Sequence, residues 1–86
     1  MNYDVSWLPA AEKELASIWL DSSVRQPVTE AAKRIDELLA RAPREQGESR
    51  YGDIRILFVR PLGTLFRVDP STRRVEVIAV WQVRAS

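Results

Sequence analysis

The sequence predicts an α+β fold in which two helices pack on one face of a sheet that ends in a three-stranded antiparallel meander. Two observations support this prediction. Apolar residues recur every three or four positions in the first half of the chain, as in amphipathic helices, and every second position in much of the second half, as in strands. With 86 residues, 45% of them hydrophobic and 29% charged, the chain is expected to form a single soluble domain over residues 1–86.

The first half predicts a strand followed by a helix hairpin. Residues 3–7 alternate apolar and polar side chains, which indicates a half-buried strand. An apolar stripe then starts at Pro9 and ends near residue 21, and proline suits the first turn of a helix. A second stripe runs from Pro27 to Ala42, where Pro43 stops it. These stripes and the first strand assign to the core Trp7, Leu15, Ile18, Trp19, Ile35 and Leu39.

The second half predicts the meander. Residues 44–50 contain no apolar side chain and indicate an exposed loop. Residues 54–60, 64–69 and 74–83 are rich in β-branched and aromatic residues, and short turn-forming stretches separate them. The expected order is therefore strand, helix, helix and three strands.

Missing residue types limit the chemistry that the chain can perform. The sequence contains no cysteine and no histidine, which excludes disulfides, zinc ligation by these residues and catalysis by a thiolate or an imidazole. Glu45 and Glu48 alone do not make a carboxylate cluster, so neither a metal nor another cofactor is expected. The apolar runs are too short to span a bilayer and the start lacks a signal-peptide pattern, which favours a cytoplasmic protein without a membrane partner.

The two halves of the chain carry opposite charge. Residues 1–48 hold six basic and nine acidic side chains, whereas residues 49–86 hold seven arginines and three acidic side chains. Arginine presents a planar, permanently charged fork to phosphate or carboxylate. The second half therefore predicts either an acidic or polyanionic partner or a solvated sheet surface with ordinary ion pairs.

Two arginines of the meander are the candidate functional cations. Strand alternation leads us to expect Arg55 and Arg67 together on one exposed face, with Phe58, Phe66 and Val68 turned toward the helices. There the two guanidinium groups would stabilise the charge of a phosphate under attack. An open alternative is cross-strand pairing with the acidic residues Asp53 and Glu76.

The last predicted strand carries apolar residues on both faces. A strand wet on one side would not have this composition. The strand is therefore central and covered on both faces, or its second face binds a partner, or a small second core forms under the C-terminal tail. The candidate partner-binding residues on this surface are Leu57, Leu65, Ile78, Val80 and Trp81.

Several segments, in this order, resemble the RelE/ParE toxin superfamily of bacterial type II toxin–antitoxin modules. Residues 5–15 are similar to the family's first strand leading into an A-x-x-x-L helix, and residues 32–43 to its second helix and the proline that follows. Three later segments are similar to the family's R-x-L, Y-x-V-D and V-x-V-L-x-V strands, and these are residues 55–57, 65–69 and 75–81. The resemblance covers essentially the whole chain. It implies a growth-inhibiting toxin that a cognate antitoxin neutralises.

The resemblance implies one of two targets. RNases of the family cleave mRNA at the ribosome, and the ParE branch poisons DNA gyrase. This chain departs from the RNases at Gly63, where an arginine often stands, and over residues 81–84, where a histidine or tyrosine is usual. A binding module that has lost its active residues therefore stays an open alternative. The candidate catalytic residues are Arg55, Arg67, Tyr51 and Arg84, with Tyr51 or Glu48 as the proton-transfer partner.

Overall fold

A computed structural model describes residues 2–23 and 25–83. The elements are β1 Asp4–Trp7, α1 Pro9–Asp21, α2 Arg25–Arg41, a short 3-10 helix Pro43–Glu45, β2 Glu48–Tyr51, β3 Ile54–Val59, β4 Leu62–Asp69 and β5 Arg74–Gln82. The strands form one sheet in the order β1-β5-β4-β3-β2, in which β1 runs parallel to β5 and the other neighbours are antiparallel. The predicted α+β fold is confirmed, with β2 as an additional strand in the segment predicted to be a loop.

Both helices pack on one face of the sheet, called here the covered face, and leave the opposite, open face to solvent. The apolar stripe of α2 supplies most of the helical side of the core, because its members recur at helical spacing. The buried core residues are Ala11 of α1, Val28, Ala31, Ile35 and Leu39 of α2, and Leu57, Leu62, Phe66, Val68, Val75, Val77 and Val80 of the sheet. Leu15 and Ile18 are half-buried at the margin of this core.

A β-bulge in β5 explains why that strand is apolar on both faces. Phe66 of β4 lies opposite Val77, but its neighbour Leu65 lies opposite Ala79, so Ile78 is an extra residue. Alternation along β5 therefore changes phase at Ile78. The residues before and after the bulge that face the core are Val75, Val77 and Val80.

The helix α1 lies beside the second half of β5. Strand β1 accompanies β5 only as far as Val77, where the Leu8 amide donates to the Val77 carbonyl at 3.0 Å. Further along, the Val80 amide donates to a carboxylate oxygen of Glu14 at 3.2 Å. A helix side chain thus takes the place of a strand partner there.

Two of the predicted core residues lie at the surface. Phe58 is 55% exposed, because Leu57 and not Phe58 points to the helices. Trp19 is 39% exposed on α1, whereas Trp7 packs against the core as predicted. Within the described residues, neither helix combines the length and the apolar character that crossing a membrane requires.

Candidate functional site

The open face carries a row of side chains that crosses all five strands. Register pairs Ser6 with Glu76, Glu76 with Arg67, Arg67 with Ile54, and Ile54 with Tyr51. Paired residues on neighbouring strands point to the same face. Of the four predicted catalytic residues, the structure therefore brings Tyr51 and Arg67 to one face, and it separates them by two strand spacings, about 10 Å.

Arg67 is held by a carboxylate. Its guanidinium lies 3.2 Å from a carboxylate oxygen of Glu76 on the neighbouring strand. The side chains are about half exposed, so the ion pair contributes little to stability. The cross-strand pairing that the sequence left as an alternative is confirmed for Arg67, and the pair is close to neutral as a unit.

Arg55 lies on the covered face, so the prediction that it shares an exposed face with Arg67 is wrong. Its register partner on β4 is Phe66, a core residue, and its guanidinium donates to the carbonyls of Gln46 at 2.8 Å and Gly47 at 3.1 Å. Gly47 has φ of +62°, and a Cβ there would overlap the Ile56 carbonyl. Arg55 therefore fixes a tight approach of the 46–47 backbone to β3.

An aromatic pair forms the centre of the other half of the open face. Phe58 and Trp81 lie in register on either side of Gly63, with ring centroids 6.2 Å apart and planes at 81°. A Cβ at Gly63 would meet the Trp81 ring at 2.6 Å, so the ring lies against the β4 backbone only because residue 63 has no side chain. Leu65 and Ile56, paired with each other, extend this apolar half of the open face.

The five predicted partner-binding residues do not form one surface. Leu57 and Val80 belong to the core on the covered face. Leu65 and Trp81 lie half-buried on the open face, and Ile78 is the half-buried extra residue at the bulge. The sequence could not separate the two groups, because the bulge changes which residues of β5 share a face.

The half of the open face that carries the Arg67–Glu76 ion pair ends in a tight turn that Asp69 begins. Asp69 accepts hydrogen bonds from the Ser71 hydroxyl at 2.7 Å, the Ser71 amide at 3.1 Å and the Thr72 amide at 3.4 Å. Hydrogen bonding from Ser71, and secondly from Thr72, holds the pKa of Asp69 below its ordinary value of 3.8. Asp69 is therefore an ionised turn residue and not a proton donor near neutral pH. The candidate Arg84 lies outside the described residues.

Sequence reasoning missed a groove between the two helices. It is lined by apolar side chains of α1 and α2, among them Leu15, Trp19, Leu20 and Val28, and has a volume of about 730 Å³. The sequence did not indicate that Trp19 and Leu20 are exposed, because both are apolar residues of an apolar helix and their type does not show whether they face the core or solvent. No group of three or more acidic residues in the described ranges is arranged to hold a metal.

Comparisons with known proteins place this geometry among toxin folds. No family model and no curated protein matches the sequence. The structure is similar to a chain of the RelBE2 toxin–antitoxin complex from Mycobacterium tuberculosis, with a TM-score of 0.81, 17% identity, and coverage of 100% of this chain and 95% of that chain. It is also similar to a chain of the chromosomal ParDE toxin–antitoxin system from P. aeruginosa, with a TM-score of 0.70, 17% identity, and coverage of 95% of this chain and 97% of that chain. A third similar structure is the isolated E. coli RelE toxin, with a TM-score of 0.69, 26% identity, and coverage of 98% of this chain and 87% of that chain. The expected RelE/ParE fold is therefore confirmed.

Proposed function

Because the chain has the fold of the RelE/ParE superfamily, we propose that it is the toxin of a bacterial toxin–antitoxin module. In this proposal it acts in the cytoplasm and is neutralised by a cognate antitoxin. Similarity to both RelE and ParE structures over nearly the whole chain supports this role. The proposal covers the full described chain, since the neighbours align with both helices and the sheet.

The apolar half of the open face carries the proposal that the toxin acts by binding a protein. Phe58 is largely exposed and Trp81 is half-buried, and neither belongs to the core cluster. Exposed apolar surface on a small protein is typical of contact with another protein, and aromatic side chains supply much of the energy at such contacts. The target that the family resemblance implies for a toxin of this kind is DNA gyrase.

The positions of the arginines support binding over RNA cleavage. Cleavage through the 2′-hydroxyl needs a proton acceptor, a proton donor and cations that stabilise the charged phosphate. Arg67 is already paired with Glu76, whose carboxylate repels a phosphate, and Arg55 donates to backbone carbonyls on the covered face. Both cations that the sequence assigned to a phosphate are therefore engaged within the protein.

Ribosome-dependent mRNA cleavage is the second candidate, because Tyr51 and Arg67 share the open face. The Tyr51 side chain is 76% exposed and lies across Ile54 from Arg67. A phenol can transfer a proton, and Arg67 would stabilise a phosphate after release from Glu76. This candidate requires the Tyr51 hydroxyl, which gives it a direct test.

Induced expression in a bacterial host tests the proposal, with growth, total-RNA integrity and plasmid topology followed in the same culture. We expect growth arrest with intact RNA and altered plasmid topology or DNA breaks. Coexpression of a cognate antitoxin should restore growth. RNA cut within coding sequence would select the second candidate, and unimpaired growth would indicate a module that only binds partners.

Two matched variants identify the surface that acts. Phe58→Ser should abolish growth arrest while the purified protein keeps its melting temperature, because the ring is not part of the core. Tyr51→Phe, which removes one hydroxyl from the same face, should leave the arrest unchanged. The reverse pattern would overturn binding through the apolar half and support RNA cleavage.

A further inference from the structure

The groove between α1 and α2 is an apolar surface that the fold itself does not fill. Val28 forms its buried floor, and Leu15 and Trp19 form its walls. Leu20 projects beside it with 62% of its surface exposed. A large aliphatic side chain next to an open apolar groove costs solvation free energy in the isolated chain, so the surface favours an apolar occupant.

The walls of the groove are fixed by polar contacts. The Trp19 indole donates to the Thr29 hydroxyl at 3.0 Å, and the Trp7 indole donates to Asp36 at 3.0 Å. Arg25 stacks on the Trp19 ring at 4.6 Å and donates to the carbonyls of Trp19 and Leu20 at the end of α1. A groove held in this way binds an occupant without first having to order its own side chains.

Charge is separated along the groove. Glu12 and Asp36 lie at the end next to Trp7, Arg25 lies at the opposite end, and Lys33 lies on the α2 rim between them. Within the described residues, the Glu12 side chain takes part in no hydrogen bond or ion pair. The occupant that fits is therefore one whose basic end meets Glu12 and whose acidic end meets Arg25.

We infer that the occupant is a second copy of this chain, packed so that the two α1 helices run antiparallel about a two-fold axis at Ala16. Leu20 and Glu12 lie four residues on either side of Ala16, which is one helical turn in each direction. The axis then sets Leu20 of one copy against Glu12 of the other, at the Trp7 end of its groove. Arg25, which donates to the Leu20 carbonyl, comes close to the same Glu12 carboxylate.

Three properties of the surface meet the demands of such an interface. The contact is self-complementary in charge, because rotation about the axis exchanges the acidic end for the basic end. Ala16 is small and exposed, so two helices can approach closely where they cross. The projecting Leu20 side chain and the groove that receives it belong to the same surface, so one chain supplies both halves of the contact.

Disulfide trapping tests the geometry directly, since the chain has no cysteine of its own. Ala16→Cys places a thiol on the proposed axis, and mild oxidation of the purified full chain should yield mostly a covalent dimer. Ser17→Cys, about 100° further around the same helix, and Phe58→Cys, on the open face, are the controls and should stay mostly monomeric. Equal cross-linking of the three variants, or a folded Ala16→Cys variant that does not cross-link, would overturn the inference.

Sedimentation equilibrium of the unmodified chain over a wide concentration range provides the second measurement. We expect a monomer–dimer equilibrium that Leu20→Glu weakens by at least about tenfold in dissociation constant, and that Glu12→Arg weakens less. Phe58→Glu should leave it unchanged. A monomer at every concentration would overturn the inference and leave the groove to a different protein. The measurement uses purified protein without antitoxin and does not depend on growth arrest.

Discussion

The two faces of the β3–β4 hairpin put similar residues to opposite uses. Leu57 and Phe58 are neighbours in β3, yet Leu57 is 9% exposed in the core and Phe58 is 55% exposed on the open face. Arg55 and Arg67 are both arginines of the same hairpin, yet Arg55 holds backbone carbonyls and Arg67 holds one exposed carboxylate. Leu57 and Arg55 on the covered face are therefore expected to support stability, whereas Phe58 and Arg67 on the open face are accessible to a partner.

The comparison shows why residue type alone did not identify the site. Both arginines carry the same charge, and what distinguishes them is the number and kind of groups that they hold in place. Replacing a residue on each face should therefore change different measured properties, and matched pairs of variants can separate the two.

Leu57→Ala should have the largest effect on stability. Truncating a buried leucine leaves a cavity and lowers the free energy of unfolding by about 2–5 kcal/mol. The matched variant Phe58→Ala removes a larger side chain from the open face and should cost less than about 1 kcal/mol. Urea denaturation of both variants checks this. Equal losses would mean that the open face is structurally part of the core.

Arg55→Ala should lower the free energy of unfolding by about 2 kcal/mol, because two carbonyls lose a charged donor. Arg67→Ala removes one half-exposed ion pair and should cost less than about 1 kcal/mol. Arg55→Lys should not restore the lost stability, since an ammonium group cannot present the same planar fork to both carbonyls. Thermal melts of the three variants check this. A larger loss of stability for Arg67→Ala than for Arg55→Ala would mean that Arg67, and not Arg55, supports the fold.

Gly63→Val should displace the aromatic side chains of the open face while leaving the packing of the core largely unchanged. A side chain at position 63 occupies the space of the Trp81 ring, which must swing away from β4. We expect a loss of about 1 kcal/mol in stability and changed chemical shifts at Trp81 and Phe58, with the core methyl signals retained. Widespread changes in the core methyl signals would show that the aromatic pair supports the core after all.

The smallest expected effect concerns acid stability. Because the pKa of Asp69 is lowered in the folded protein, its contribution is present above its ordinary value of 3.8 and is lost as the pH falls through the lowered value. Asp69→Asn keeps an oxygen that can accept from Ser71 but does not titrate. The stability difference between the original chain and this variant should therefore shrink as acid is added below pH 3.8, and a difference independent of pH would contradict the assignment.

Much of the fold followed from periodicity. The first helix was predicted over residues 9–21 and is observed there, because Pro9 and the apolar stripe mark both its start and its length. The second helix begins at Arg25, two residues before the predicted Pro27, since the first turn of a helix carries no required apolar residue. Strand β2 was missed because all of its residues are exposed and show no alternation.

The site was harder to predict than the fold. Alternation correctly grouped Arg55 with Leu57 and separated both from Phe58, but it cannot say which group faces the helices. The larger phenylalanine was the natural choice for the core, and the structure places leucine there instead. A run of apolar residues likewise gives no sign of the bulge at Ile78, although the bulge decides that Val80, and not Trp81, shares the covered face with Val75 and Val77.

The hydrogen bond between Glu14 and the Val80 amide also determines where the sheet stops. A strand edge with free amides is a template on which other extended chains can add, and this is a common route to aggregation. Next to the second half of β5, α1 occupies the position of a further strand and its carboxylate takes up the amide. At the far edge, β2 carries Glu48 and Arg50, whose charges discourage strand addition. Strand addition is thereby opposed by one carboxylate beside the second half of β5, where β1 no longer accompanies it, and by surface charge along β2.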